Sequence, residues 1–271
     1  MLNLKQKLSK IEQQKTAYRI LLNRSKYREA LEDELWESAA ELASQFHVPS
    51  KNEDLRHQEE NKQGLVSAFQ SVKRAPKDSL DVESIQDVHT QAMALINPEE
   101  GGVFRRTPAR WVNSSMVVAN WVKIPMLMDN LVEGINQQHV PAFYWEEYPD
   151  VDFQRCSHNP VVQAIEGNYN TVAIHPFGDG NKRVARLVSA WVLDKYGHIP
   201  LSIYDRSAYI SGVENYYATR RPHVFYDVML DQMEQSYDGA ISEVKNMETF
   251  RINMGQFRQD MHHILRKQKS V

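Results

Sequence analysis

Residues 175–186 read HPFGDGNKRVAR and bring together more chemically useful side chains than any other stretch of this 271-residue chain. His175 stands four residues before the acid Asp179, and Gly178 and Gly180 flank that acid. Glycine has no Cβ atom, so the backbone at these positions can adopt positive φ and approach a ligand closely. Apolar residues then recur at spacings of three and four, which predicts a helix directly after the glycines.

A junction between such a loop and a helix favours anions. The first backbone N–H groups of a helix have no partner within it and point the same way. The helix is predicted to begin at about Asn181, and Arg183 and Arg186 lie one turn apart on it. Each guanidinium group can offer forked donors to phosphate oxygens. The segment therefore predicts a polyphosphate site.

His175 and Asp179 add the groups that such a site needs for a reaction. An imidazole has an ordinary pKa of about 6.5 and can accept a proton from an attacking hydroxyl. One carboxylate suits Mg²⁺, which takes few protein ligands and completes its shell with phosphate oxygens and water. Taken singly, a His-Pro or Asp-Gly pair is typical of a turn, and two arginines are typical of a solvated helix face. Their combination in order predicts an enzyme that acts on a nucleotide.

The run from His175 to Arg183, followed by Arg186, resembles the signature of the Fic domain family. The resemblance implies transfer of AMP from ATP to a Ser, Thr or Tyr hydroxyl of a target protein. It implies that His175 is the general base, that Asp179 binds Mg²⁺ and that Phe177 is a buried anchor under the loop. The nucleotide- and phosphate-binding residues expected from the pattern and the resemblance together are Gly178, Gly180, Asn181, Lys182, Arg183 and Arg186.

Lys182 departs from the commonest form of this signature, in which AMP-transferring members have glycine. The Doc branch carries lysine there and resembles a kinase that transfers the terminal phosphoryl group of ATP. Because Gly180 and Arg186 are retained and the chain is longer than a minimal Doc toxin, AMP transfer is the favoured interpretation. Doc-like phosphoryl transfer, and a nucleotide-binding interaction module without turnover, are the alternatives.

The chain as a whole is predicted to be mainly α, with a Fic-type helical core and a small β-hairpin flap over the active site. Residues 1–49 are predicted as an N-terminal helical segment, 50–245 as the Fic core and 246–271 as a basic helical tail. Strand-forming residues in about 103–122 predict the hairpin. The resemblance implies that the target's hydroxyl-bearing segment pairs with this flap by strand addition. From the residues alone, a purely structural hairpin fits equally well.

Charge is uneven near the N-terminus. Residues 1–28 contain eight Lys/Arg and one acid, whereas residues 29–60 contain ten Asp/Glu and two Lys/Arg. An amphipathic stripe predicts that the first helix packs on the body, with its charge neutralised by the acidic segment after it. A basic arm for a membrane surface or an acidic partner is the alternative.

Composition narrows the remaining classes. A net charge of −3 gives no indication of a nucleic-acid partner. One cysteine, Cys156, excludes an internal disulfide and fits a reducing compartment. No apolar stretch reaches the length of a membrane span, and the N-terminus lacks the apolar core of a signal peptide. We therefore expect a cytoplasmic protein, with secretion as an effector through other signals as the alternative.

The resemblance also implies a means of control, in which a glutamate on an inhibitory helix pairs with Arg186. Glu29 has the right spacing from Ser25 and is the candidate within this chain. The string around Glu166 is rejected, because it lies in the helix that leads into the signature. A separate inhibitory protein, or no inhibitor, is equally compatible with the sequence, which does not predict the oligomeric state.

Overall fold

The computed structural model describes residues 3–25, 27–44, 55–76, 80–111, 116–138 and 158–268. The α-helices among these residues are α1 (Leu4–Arg24), α2 (Arg28–Ser44), α3 (Leu55–Arg74), α4 (Val82–Met93), α5 (Ile124–Asn136), α6 (Pro160–Ile174), α7 (Asn181–Lys195), α8 (Arg206–Thr219) and α9 (His223–Gln268). Short 3₁₀ turns cover Pro98–Glu100 and Trp121–Lys123. The predicted mainly α class is confirmed. None of the described helices is both long and apolar enough to cross a bilayer.

Helices α6 and α7 form the centre of the fold and pack against each other along their length. The Asn159 side chain caps α6 by accepting a hydrogen bond from the Val161 N–H, and Pro160 occupies the first turn, where its missing N–H costs nothing. Gly180 precedes α7 with φ of 75°, and Gly197 follows it with φ of 68°. Both helices therefore begin where the sequence predicts. Helices α3 and α4 pack on α7, and α5 packs on α6.

Glu166 lies in the middle of α6 and is fully buried. The hydroxyls of Tyr216 and Tyr226 donate to its Oε1 atom at 3.1 and 2.5 Å. Burial raises the pKa of this carboxyl to about 7, although the two hydroxyls oppose the shift. The glutamate is thus part of the core, in agreement with its rejection as an inhibitory residue.

Helix α1 packs along α9, so the predicted packing of the N-terminal helix is confirmed. Two lysines of α1 are paired with acids of α9: Lys7 Nζ lies 2.6 Å from Asp231, and Lys10 Nζ lies 2.5 Å from Glu234. The prediction that residues 29–60 neutralise the positive charge of this helix is therefore wrong for these two lysines. Their acidic partners lie 224 residues further along the chain, where neighbouring sequence gives no hint of them.

The predicted flap, about residues 103–122, is not seen as a hairpin. Its expected turn, residues 113–115, lies outside the described residues. The described residues on either side form no β-ladder with each other, and the one bridge they make joins Phe104 to Phe177 of the signature. The Arg105 N–H likewise donates to the carbonyl of Pro176 at 2.9 Å. Their backbone groups are thus directed toward the signature loop.

The structure tests only some of the other predictions about segments of the chain. The helix expected over 78–96 is observed as α4, and the aromatic stretch at 143–148 lies outside the described residues, as does Cys156. Helix α9 continues without a break past residue 246, where the predicted tail begins. The division into three regions stays a prediction.

Replacing Glu166 by glutamine should alter the pH dependence of stability. The native state holds the proton more tightly than the unfolded chain, whose carboxyl has a pKa of 4.5. The stabilisation is therefore complete below that pH and is lost as pH rises through about 7. Glu166→Gln cannot ionise, so its melting temperature should rise relative to wild type at about pH 8 and change less at about pH 5. The exposed Glu37→Gln is the control, and an equal effect at both pH values would contradict the account.

Candidate active site

His175 ends α6 and has the left-handed backbone conformation, with φ of 53° and ψ of 60°. Few residues other than glycine adopt it, and those that do often lie at functional sites. Its N–H donates to the Thr171 carbonyl at 3.0 Å. Burial, and then the charge of Arg105, lowers the pKa of the imidazole to about 4. The side chain is therefore neutral near pH 7, which is the state that can accept a proton.

Arg105 holds the end of α6 in place, a role that the sequence did not predict. This buried side chain donates from Nε to the His175 carbonyl at 2.6 Å, and from its two Nη atoms to Thr107 and Ala119 at 2.8 and 2.5 Å. A further contact of 3.3 Å reaches the Ile174 carbonyl. One guanidinium group thus joins both sides of the predicted flap to the C-terminus of α6, where a cation is favoured. An arginine in a run of strand formers gives no sequence signal for this role.

Two side chains shape the signature loop. Phe177 is fully buried and lies parallel to the ring of His89, with 3.7 Å between ring centroids. The Phe177 N–H donates to Asn181 Oδ1 at 2.8 Å, and Asn181 Nδ2 donates to the Phe177 carbonyl at 2.9 Å. The Asn181 amide is thus engaged by the loop backbone, which makes it a residue that holds the loop in shape. Its expected contact with phosphate stays a prediction.

His89, on α4, also supports the signature loop. The sequence did not predict this role. Its Nδ1 atom accepts from the Gly102 N–H at 2.9 Å, so the proton of the neutral ring lies on Nε2, 3.1 Å from the Asp179 carbonyl. Burial lowers the pKa of this imidazole to about 4. A Cβ atom on Gly180 would lie 3.0 Å from His89 Nε2, and the backbone there has positive φ. Glycine is therefore required at position 180 for the shape of the loop.

Two carboxylates lie beside the loop. Asp179 is largely exposed; its Oδ1 accepts from the Gly180 N–H at 2.5 Å, and its Oδ2 lies 3.0 Å from Arg183 Nη2. Glu100 approaches from the preceding 3₁₀ turn, where its Oε2 would lie 2.9 Å from a Cβ atom on Gly178. A carboxylate at Gly178 disfavours a phosphate there unless a cation lies between them. The contact with Glu100 had no sequence signal.

This donor set fits a Mg²⁺ ion that is shared with phosphates. Asp179 offers an exposed hard oxygen ligand, and Glu100 brings a second carboxylate to the loop. Among the described residues no group of three or more His, Cys, Asp or Glu side chains could hold a metal. A magnesium ion here would therefore take most of its ligands from phosphate and water, as this ion commonly does.

The cations of the signature have different neighbours. Arg183 donates from Nη1 to Asn61 Oδ1 on α3 at 3.0 Å and pairs with Asp179 through Nη2. Lys182 is half-buried, with its Nζ atom 5.2 Å from the ring centroid of Trp111. Burial, followed by the charges of Arg206 and Arg186, lowers the pKa of Lys182.

Arg186 is buried, and burial lowers its pKa to about 10. The positive charges of Arg183 and Arg206 lower it as well. The structure thus brings Lys182 and Arg186 together with Arg206, which lies outside the signature. Glu29, the candidate inhibitory residue within this chain, is exposed in the first turn of α2.

A family model described as the Fic/DOC family matches residues 79–193, from just before α4 to the last turns of α7. These residues form a Fic domain. "Protein adenylyltransferase Fic" of Drosophila erecta is 26% identical over 162 residues, which cover 60% of this chain and 29% of that protein. The chain therefore matches less than a third of the length of this curated relative.

Solved structures show the same Fic fold. Fic-1 of C. elegans, residues 134–508, matches with a TM-score of 0.67 at 16% identity and covers 90% of this chain and 73% of that one. An IbpAFic2 variant in complex with adenylylated Cdc42 matches with a TM-score of 0.50 at 15% identity, covering 88% and 72%.

Asn181→Ala should destabilise the protein, because it leaves the N–H and carbonyl of buried Phe177 without partners. We expect a loss of about 2–4 kcal/mol in the free energy of unfolding, measured by urea denaturation. Asn130→Ala, on the exposed face of α5, should change it by less than about 0.5 kcal/mol. If Asn181→Ala unfolds like wild type but loses ATP affinity, the side chain serves the ligand and not the loop.

Proposed function

We propose that this chain is a protein adenylyltransferase that moves AMP from ATP to a Ser, Thr or Tyr hydroxyl of a target protein. The observation that carries this proposal is a neutral His175 beside a loop that brings carboxylates and cations together. The name of the Drosophila relative and the adenylylated Cdc42 in the IbpAFic2 complex support the same chemistry.

In the proposed reaction, His175 accepts the proton of the target hydroxyl as its oxygen attacks the α-phosphorus. A P–O bond to the target forms, the bond to the β-phosphate breaks, and pyrophosphate leaves with the electron pair. The left-handed backbone of His175 and the hydrogen bond from Arg105 to its carbonyl orient the imidazole. A base that is neutral at working pH contributes typically about 10²–10⁴ in rate.

The other signature residues would bind and neutralise the triphosphate. The N-terminus of α7 offers backbone N–H groups after Gly180, and Lys182, Arg183 and Arg186 offer charged donors. Asp179 would hold Mg²⁺, which when bound offsets charge on the phosphates. Positioning and charge neutralisation supply most of the catalysis in this class of reaction.

The target protein would dock on the predicted flap. Val117 is 75% exposed, and residue 119 is fixed by Arg105 to the end of α6, next to His175. A segment laid along this loop would bring its hydroxyl toward the imidazole. The cytoplasmic location and control by a separate inhibitory protein remain part of the proposal.

Doc-like transfer of the terminal phosphoryl group is the second candidate function. Lys182 favours it, because this ammonium group lies among the cations beside Arg186 and Arg206. A lysine there adds charge and bulk where glycine leaves the backbone open, so it can alter which end of the triphosphate faces His175.

The pH profile should reveal the depressed pKa of His175. We expect the acid limb of kcat/KM for target modification to lie near the pKa of about 4 rather than near the ordinary value of 6.5. The rate should therefore vary little between about pH 5 and pH 7. A limb centred near the ordinary value would contradict the burial of this base.

A pair of labelling reactions tests the proposed function. The protein is incubated with Mg²⁺, lysate and ATP labelled on either the α- or the γ-phosphate. We expect only the α-label to reach protein, and His175→Ala to lower that transfer by about 10²-fold or more.

The variants discriminate between the candidates. Transfer of only the γ-label would establish the Doc-like reaction, and Lys182→Gly should then shift the product toward AMP. Equal labelling by His175→Ala and wild type would contradict the role of this base. Nucleotide binding without transfer of either label would indicate an interaction module.

A further inference from the structure

The first turn of α8 lies next to the cations of the signature. Tyr209 in this turn is fully buried, and its hydroxyl donates to Asn168 Oδ1 on α6 at 2.8 Å. Its phenol group is close enough to Arg186 for each group to affect the pKa of the other. Arg206 begins α8 three residues earlier, so it shares a helix face with Tyr209. Arg206 therefore lies on the same side of α8 as this buried tyrosine.

Arg206 forms a cluster with two signature cations. Lys182 and Arg186 are four residues apart on α7 and thus on one face, and the positive charge of Arg206 acts on both. Among the described residues, the carboxylate whose charge acts on Lys182 is Asp179. The neighbouring acid Asp205 is engaged as the cap of α8, accepting from the Ala208 N–H at 2.9 Å.

Trp111 holds Lys182 near this cluster. The ammonium group lies 5.2 Å from the centroid of the indole ring, and a cation–π contact of this kind restricts a flexible side chain. Bringing three cations together in a partly buried place costs free energy, which a bound polyanion would recover.

We propose that Arg206 is a nucleotide-binding residue outside the signature, which contacts the end of the polyphosphate together with Lys182 and Arg186. It makes the site selective for nucleoside triphosphates over monophosphates. This inference rests on the proposed function, because it assumes that the signature loop binds a nucleotide. It holds whether the protein transfers AMP or a phosphoryl group.

Calorimetric titration of MgATP, MgADP and AMP into His175→Ala protein, which prevents turnover, tests the inference. Adding Arg206→Gln should weaken MgATP binding by about tenfold, because a charge-assisted contact is lost. Binding of AMP should change by less than about twofold. Arg206→Lys keeps the charge and should weaken MgATP binding less. The exposed Arg221→Gln, just beyond the other end of α8, is the matched control and should leave all three affinities unchanged.

The outcomes separate the two proposals. Unchanged MgATP affinity in the Arg206→Gln protein, or equal weakening of MgATP and AMP, would overturn the role of Arg206 alone. A His175→Ala parent that binds no nucleotide would overturn the proposed function and this inference together. If Arg206→Gln melts at a lower temperature than its parent, Arg206→Lys becomes the deciding variant. A loss of affinity for MgATP and MgADP, but not for AMP, in that variant supports the contact.

Discussion

The hydrogen bonds of one buried guanidinium group hold the candidate site together. Arg105 donates to carbonyls at the end of α6, including that of His175, and to carbonyls on both sides of the predicted flap. These acceptors would otherwise be unpaired in a partly buried place, which is costly. The same charge helps to keep His175 neutral. Orientation of the base and the position of the flap segment thus depend on one side chain, whose charge adds to the larger effect of burial on the pKa of the base.

The signature loop brings charges of both signs together. Asp179 pairs with Arg183, Glu100 lies beside Gly178, and the charges of Asp179, Arg186 and Arg206 act on Lys182. Such a site suits a polyphosphate that shares a divalent cation with the carboxylates and meets arginine and lysine directly. The loop itself keeps its shape through neutral groups, namely the stacked rings of His89 and Phe177 and the Asn181 amide.

The sequence predicted the parts of this arrangement that are local. The limits of α6 and α7 followed from Asn159-Pro160, the glycines and the apolar spacing, and Phe177 was expected to be buried. The supports of the site were missed because they come from distant parts of the chain. Arg105 lies 70 residues before the carbonyl it holds, and Asn61 lies 122 residues before Arg183. Strand-forming composition near residue 103 predicted a hairpin, but the bonding groups described there point to the signature instead.

The central claim is that this loop presents the α-phosphorus of ATP to His175. A crystal structure of the His175→Ala protein with ATP and Mg²⁺ would test it most directly. We expect the α-phosphate next to the vacated imidazole position, the metal on Asp179, and the terminal phosphate toward Arg186. Finding the γ-phosphate next to position 175 would contradict AMP transfer, and a nucleotide bound away from the loop would contradict the account as a whole.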